Sequence, residues 1–253
     1  MTIAVLNTKG GASKSTVALQ VAAAYFLQKK ENVDLYEFDD ENRDSLNFNL
    51  SEIKSKQIKI GDGKEITDIL RNSILEYDGD NLVIDVGGNK TTTIFVDGLK
   101  KSMLYKKIDL IMIPMSGGTQ DLTNAIKTYE LVKAFNIPIV FGLSRVRNIK
   151  RVQYQYSRFF LQFPNEKYII LQESDVIDLS RDINKSIYEV ASDKELKSLI
   201  EKDLDEAFNT NNNAKAKLLS FRFEIYGDSE EYLENILKPA WNVLDHILTK
   251  EPK

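Results

Sequence analysis

The sequence predicts an α/β fold: a mostly parallel, doubly wound sheet with helices on both faces. Three observations predict it. Strand-like and helix-like segments alternate along the 253 residues, the order that builds a parallel sheet through helical crossovers. The strand segments are near-continuous apolar runs, as expected of strands covered on both faces. The first strand runs into a turn rich in glycine and lysine and then into a helix-period segment. In an open parallel sheet such a turn lies at the carboxyl edge, where ligands bind. No internal repeat or linker divides the chain, so one domain over residues 1–253 is expected, with C-terminal helices from about residue 194.

Composition narrows the functions. The chain has no cysteine and one histidine, His246. That excludes disulfides, thiol catalysis and thiolate metal sites, and it argues against a histidine-based metal centre or a Ser-His triad. No apolar run approaches the roughly 18–20 residues that span a bilayer, and the chain opens directly into a strand, so no signal peptide is expected. The formal net charge is -4. Any nucleic-acid contact must therefore come from a local basic patch.

The first element is Ile3-Ala4-Val5-Leu6, followed by Asn7-Thr8-Lys9-Gly10-Gly11-Ala12-Ser13-Lys14-Ser15-Thr16 and an apolar helical segment from Val17 to Leu27. Glycines allow a backbone curl whose N–H groups converge on an anion, and the helix N-terminus adds partial positive charge there. Residues Gly10 to Thr16 are thus the expected phosphate cradle. Lys14 is placed to reach the β- and γ-phosphates, and the Ser15 hydroxyl to ligate Mg²⁺. Ser13 stands where the common G-x-x-x-x-G-K-[ST] pattern has glycine. The stretch resembles the deviant Walker A motif, K-G-G-x-x-K-[ST], of the ParA/MinD superfamily of P-loop ATPases, with Lys9 as its early lysine.

The second strand, Val33 to Phe38, ends in the acidic cluster Asp39-Asp40-Glu41. The resemblance implies a D-x-D here whose second aspartate positions the attacking water. Asp40 is the favoured residue, with Phe38 in place of the first aspartate; Asp39 stays in play, since if it is the first aspartate Glu41 replaces the second. Residues 44–66 are polar and irregular, read as a loop with a short hairpin around Gln57-Ile58-Lys59-Ile60 and a turn at Gly61-Asp62-Gly63. A helix follows from about Ile66 to Tyr77.

Leu82-Val83-Ile84-Asp85-Val86-Gly87-Gly88-Asn89 is an apolar strand ending in aspartate, the Walker B pattern, with Asp85 as the Mg²⁺ carboxylate. Gly88 follows where the backbone must pass close to the γ-phosphate. The Asp-Val-Gly-Gly-Asn form resembles small plasmid-partition ATPases. Thr91 to Lys107 reads as one helix with a basic end. Asp109 to Pro114 is a buried strand, and Ser116 to Asp121 caps a helix running to Phe135.

Pro138 to Leu143 is the next strand. It leads to Ser144-Arg145-Val146-Arg147-Asn148-Ile149-Lys150-Arg151, where the family often has an Asn-Arg pair whose asparagine reads adenine; Ser144 stands at the asparagine position. Arg145, Arg147, Lys150, Arg151 and Arg158, with Tyr154 and Tyr156 among them, form the densest basic stretch and a candidate DNA-backbone surface. Tyr168 to Leu171 is the last strand. Glu173 to Ser180 and Ser186 to Glu189 resemble the family's segment near the nucleotide base. Lys194 to Phe208 is a charged helix, and Asn209 to Asn213 a loop. The final helix runs from about Ser229 to Leu248, with Ile236, Leu237, Trp241, Leu244 and Leu248 on one face. Its flank is rich in glutamate, which fits core packing and not a lipid face.

The resemblance covers most of residues 1 to about 190 and implies an Mg²⁺-dependent ATPase. Two subunits would sandwich two ATP molecules, with Lys9 crossing to the partner's nucleotide. The ATP-bound homodimer would bind DNA without sequence preference, and a ParB-like or adaptor protein would stimulate slow hydrolysis. That cycle partitions DNA or positions a cargo, a conjugation complex being one such cargo. It implies a cytoplasmic protein, nucleoid-associated in the ATP state, with membrane attachment of the MinD kind as the alternative.

Overall fold

The computed structural model describes residues 1–39, 48–60 and 65–249. Seven strands lie in the order β3-β2-β4-β1-β5-β6-β7. They are β1 (Thr2–Val5), β2 (Val33–Phe38), β3 (Lys54–Gln57), β4 (Asn81–Val86), β5 (Leu110–Met115), β6 (Ile139–Val146) and β7 (Lys167–Gln172). Every neighbouring pair is parallel. With β1 central, the sheet grows outward on both sides, and its carboxyl edge beside β1 is the topological switch point where such sheets bind ligands.

Period-two alternation divides the core between the two faces. Ile3, Val5, Val83, Leu110 and Met112 face one layer. Ala4, Leu6, Ile84, Ile111 and Ile113 face the other. The first layer contains α1 (residues 14–28), whose middle turns, Ala18–Ala23, are π-helical. Opposite lie α2 (residues 66–75), α3 (Lys90–Ser102) and α4 (Thr119–Val132). The short helices α5 (Val152–Gln155) and α6 (Ser157–Gln162) join that second layer. Helices α7 (Val176–Ile183), α8 (Ile187–Ser192) and α9 (Lys194–Asn209) lead into α10, which spans residues 213–248.

Three expectations are corrected. Residues 54–57, expected to be irregular loop, are a parallel edge strand paired with β2, Asp34 opposite Lys54 and Glu37 opposite Gln57. The turn expected at 61–63 lies outside the described residues. The helix expected through Lys107 breaks at Met103, whose φ of 58° caps α3 before a separate turn at Leu104–Lys107. The final helix begins at 213, not near 229. The Asn212 side chain accepts from Lys215 N at 3.1 Å and starts it, and Ala216, Leu219, Tyr226 and Ser229 bury one stripe. Gly227, unfavourable in a helix by about 1 kcal/mol relative to alanine, is overridden by that packing. Pro239 lacks an N–H for the helical ladder. It follows a π-helical turn at Leu233–Leu237, which takes up the misfit.

The apolar face of the final helix is core, as expected. Ile236, Leu237, Trp241 and Leu244 are buried beneath the sheet, and Trp241 Nε1 donates to Val21 O at 3.1 Å, locking α10 onto α1. Among the described residues, no helix is long and apolar enough to cross a membrane.

Candidate functional site

A cleft of about 990 Å³ opens at the carboxyl edge of the sheet. It is lined at one end by Gly10 to Thr16 and at the other by the start of α7, with Asp39, Asp85, Gly87, Gly88, Ser144 and Arg145 between. A second cavity of about 970 Å³ lies at the amino edge, among Met1, Tyr105, Phe135, Lys167 and His246. Size does not separate the two; chemistry does. Only the first combines a curled glycine-rich backbone, a helix N-terminus and converging charged groups.

The loop between β1 and α1 has the curl its sequence predicts. Gly11 has φ 70° and Ser13 φ 62°, and Val17 N donates to Ser13 O at 3.0 Å as the helix begins. Backbone that reverses handedness in this way turns successive N–H groups inward, a concave seat for an anion. The loop is braced from beneath. Asn7, fully buried, donates to Pro114 O at 2.6 Å, and its Oδ1 accepts from Lys9 N at 2.9 Å. Thr8 N donates to Thr128 Oγ1 at 3.0 Å.

Lys14 is buried at the mouth of the loop, and its Nζ donates to Lys9 O at 3.1 Å. Burial pulls its pKa below the usual lysine value, while Asp85 and Asp39 act in the opposite direction. Asp85 is 3% exposed. Burial pushes its carboxyl up to about 7; the Ser15 hydroxyl bonded to it and the Lys14 charge hold it down, and Glu37 and Asp39 raise it further. Its Oδ1 has no hydrogen-bond partner. A buried, unpaired carboxylate oxygen beside a serine hydroxyl, at the curled glycine-rich loop, is a pair of hard oxygen donors of the kind that could hold Mg²⁺. Among the described residues, no cluster of three or more acidic or histidine side chains could hold a metal alone. Mg²⁺ sites in general need no such cluster, because one or two carboxylates suffice when phosphates and water complete the shell.

Asp39 lies in the cleft with Lys14 and Asp85. Asp40, the favoured water-positioning residue, lies outside the described residues. Phe38 is a core side chain packed edge-to-face on Phe95 at 5.2 Å. The turn after β4 touches the loop directly. A Cβ on Gly88 would sit 2.7 Å from Gly10 N and 2.9 Å from Gly10 Cα, so only glycine fits. Asn89 N donates to Thr8 O at 2.7 Å, and Thr92 Oγ1 bonds Asn7 O at 3.1 Å and Gly87 O at 2.6 Å. The β4 turn and the phosphate loop therefore move as one piece.

Lys9 does not project freely. Its ammonium pairs with Asp121 in the first turn of α4, within the same chain, and the same carboxylate accepts from Gly118 N at 3.3 Å. The basic stretch divides. Arg147, Lys150 and Arg151 are exposed around a short turn at Ile149–Arg151. Arg158, also exposed, donates to Thr119 Oγ1. Arg145 instead lines the cleft. Tyr154 is 86% exposed, whereas Tyr156 is core and donates to Ser144 O. Ser144 Oγ is engaged with Met115 O at 3.0 Å.

Sequence reasoning missed Asn7, Glu37 and Asp121. Asn7 is a polar residue closing an apolar strand, and that much is visible in the sequence. Glu37 is 2% exposed and lies opposite Asp85 in the β2–β4 register. The Lys9–Asp121 pair joins residues 112 apart, beyond the reach of any local pattern.

No family model matches the sequence, and no curated protein matches it either. Solved structures do resemble the fold. MinD from Aquifex aeolicus superposes with a TM-score of 0.56 at 12% identity, over 77% of this chain and 89% of that one. The apo form of McdA from Cyanthece gives 0.55 at 16% identity, over 75% and 92%. A plasmid partition protein from Borrelia burgdorferi B31, bound to AMPPNP, gives 0.52 at 17% identity, over 71% and 89%. The chain has the ParA/MinD fold. At these identities the likeness speaks for the fold alone. In ParA/MinD-fold terms, the cleft described above lies at the switch point of the sheet.

Proposed function

We propose that the chain is an Mg²⁺-dependent ATPase that works as a dimerising switch, binds DNA without sequence preference, and partitions DNA or positions a cargo. The observation that carries this reading is the convergence of Lys14, Ser15 and the unpaired Asp85 Oδ1 on the curled loop. Backbone N–H groups of residues 10–16 hold the β- and γ-phosphates. Lys14 leaves Lys9 O to meet the phosphates, and Ser15 with Asp85 holds the metal. Held by Ser15 and Asp85, Mg²⁺ would supply positive charge to offset that of the phosphates. Asp39 or Asp40 orients the attacking water.

The switch is built from Lys9 and the Gly87-Gly88 turn. A ligand shifts a conformational equilibrium only through contacts that differ between its forms. The γ-phosphate, which ADP lacks, is such a contact for Gly88, which packs on Gly10. In the dimer Lys9 leaves Asp121 and reaches the partner's nucleotide. Arg147, Lys150, Arg151 and Arg158 form the DNA-facing surface, beside the exposed Tyr154. A ParB-like or adaptor protein stimulates hydrolysis. Residues 1–253 act as one unit, since α10 is locked onto α1. The solved partition, McdA and MinD proteins of this fold support the class. The buried stripe of α10 counts against attachment to membrane through that helix.

The test is phosphate release from Mg·ATP by the wild-type chain and by Lys14→Ala, with and without duplex DNA. Slow release that the substitution abolishes is the expected result. Wild-type turnover by Lys14→Ala would overturn the assignment of the loop.

A further inference from the structure

We propose that the cavity at the amino edge of the sheet is a second binding site, which takes a small amphipathic monoanion: an alkyl or aromatic chain ending in one carboxylate. The proposal does not rest on the reading of the carboxyl-edge cleft. The two cavities share no lining residue. They lie at opposite ends of the strands, roughly 20 Å apart for the six residues of β5 at about 3.3 Å each.

The walls are apolar and come from both layers. Val243, Ile247 and Leu248, in the last turns of α10, stand on one side and pack on the first core layer. Tyr105, Phe135 and Ile137 stand on the other and pack on the second. Backbone turns fix that second wall in place. Asn136, at φ 56°, ends the turn after α4, and the rings of Tyr105 and Phe135, from separate turns, stack at 4.7 Å and 8°. The volume of about 970 Å³ is at the upper end of ligand cavities, which run from about 300 to 1,000 Å³ and are mostly apolar with a few polar groups that orient the ligand.

Here the polar groups are cationic. Lys106, Lys167 and His246 are exposed in the lining, in a chain whose formal net charge is -4. Among the described residues neither lysine has an ion pair or a hydrogen bond. The other charged groups of the lining are engaged. Asp109 Oδ2 accepts from Thr2 N at 2.7 Å. The Met1 ammonium donates to Asp80 O at 2.9 Å and to Asn81 Oδ1 at 3.2 Å. Two ammonium groups are left to hold an anion, with an imidazole N–H that neutral and charged histidine both carry.

Helix direction limits that anion to low charge. α10 and the turn after α4 both end among the lining residues, so carbonyl ends with partial negative charge lie beside the cavity. Clustered phosphates are seated by the opposite arrangement, a helix N-terminus with converging backbone N–H groups, which the carboxyl-edge cleft has. One carboxylate on the lysines, with its apolar body between the walls, satisfies both features. Bound there, it would bridge the two layers and stabilise the fold by mass action.

The test is calorimetric titration of the full chain, without nucleotide and at fixed ionic strength, with octanoate, octylammonium and acetate. Wild type is compared with two double variants. Lys106→Gln with Lys167→Gln removes the cations of the cavity. Lys215→Gln with Lys217→Gln removes two exposed lysines at the far end of α10. Octanoate is expected to bind wild type saturably and to raise its thermal midpoint, while octylammonium and acetate do neither. The cavity variant should bind octanoate about tenfold more weakly or worse, the loss of a hydrogen bond to a charged group, with its ligand-free midpoint unchanged. The α10 variant should bind as wild type does. Octylammonium binding as tightly as octanoate would mean that the walls alone select, and would overturn the proposal. So would octanoate affinity unaffected by the cavity substitutions, affinity weakened equally by those on α10, or no octanoate binding at all.

Discussion

Asp85 keeps its proton to about pH 7 because burial penalises the carboxylate more than Ser15 and Lys14 favour it. An unfolded aspartate releases its proton near 3.8, so between that value and about 7 the unfolded chain binds fewer protons than the folded one. Folding stability from this group is then lost as pH rises through that window. A shift of about three units corresponds to roughly 4 kcal/mol at most. Asp85→Asn, of the same shape but uncharged, should therefore lose less thermal stability than wild type between pH 5 and pH 8 without nucleotide, while losing ATP hydrolysis. Melting curves across that range check it. Parallel pH profiles for the two proteins would mean that Asp85 is ionised in the fold. At Arg145 local sequence falls short of the structure. Counting charges along 145–158 finds the basic stretch. Counting cannot find the direction of one side chain, because the bulge that turns it exists only in register with β7.

The phosphate loop and the turn after β4 form a single mechanical element. In Gly88→Ala the added methyl meets backbone atoms of Gly10 at 2.7 and 2.9 Å, and neither can rotate away. One strand end must shift, and displacements near 1 Å in a catalytic site cost about a hundredfold in rate. Phosphate release should fall by that order while the far-ultraviolet spectrum stays native. An alanine variant with wild-type turnover would uncouple the two turns. The strands that carry these loops were legible because β1, β4 and β5 are buried on both faces and so read as unbroken apolar runs. Strand β3 was not. Lys54, Ser55, Lys56 and Gln57 sit at the sheet edge with alternate residues exposed, and a polar edge strand looks like a loop until its partner is known. The N-terminal half of α10 was hidden in the same way: its buried stripe repeats at wide intervals, and Gly227 interrupts the propensity signal.

At the scale of the whole molecule, the order of strand, loop and helix at the N-terminus together with Asp85 pointed to the residues that line the candidate cleft, since both motifs need only local sequence. The brace did not follow from sequence. Asn7 reaches Pro114, Lys9 reaches Asp121 and Trp241 reaches Val21, each across more than a hundred residues. The Lys9–Asp121 pair bears on assembly. If Lys9 leaves it to reach a partner's nucleotide, Lys9→Ala should bind ATP as wild type does but stay monomeric with ATP. Sedimentation velocity with ATP, ADP and no nucleotide checks this; a variant that dimerises like wild type would make Lys9 an intrachain brace only. If ATP converts the chain into a form that grips DNA, binding to random-sequence duplex DNA with ATP, ADP and no nucleotide across a salt series will show it. Binding is expected with ATP alone, the logarithm of the binding constant falling with log salt by about 0.9 per neutralised phosphate. Binding that ignores the nucleotide, or none in any state, would contradict it.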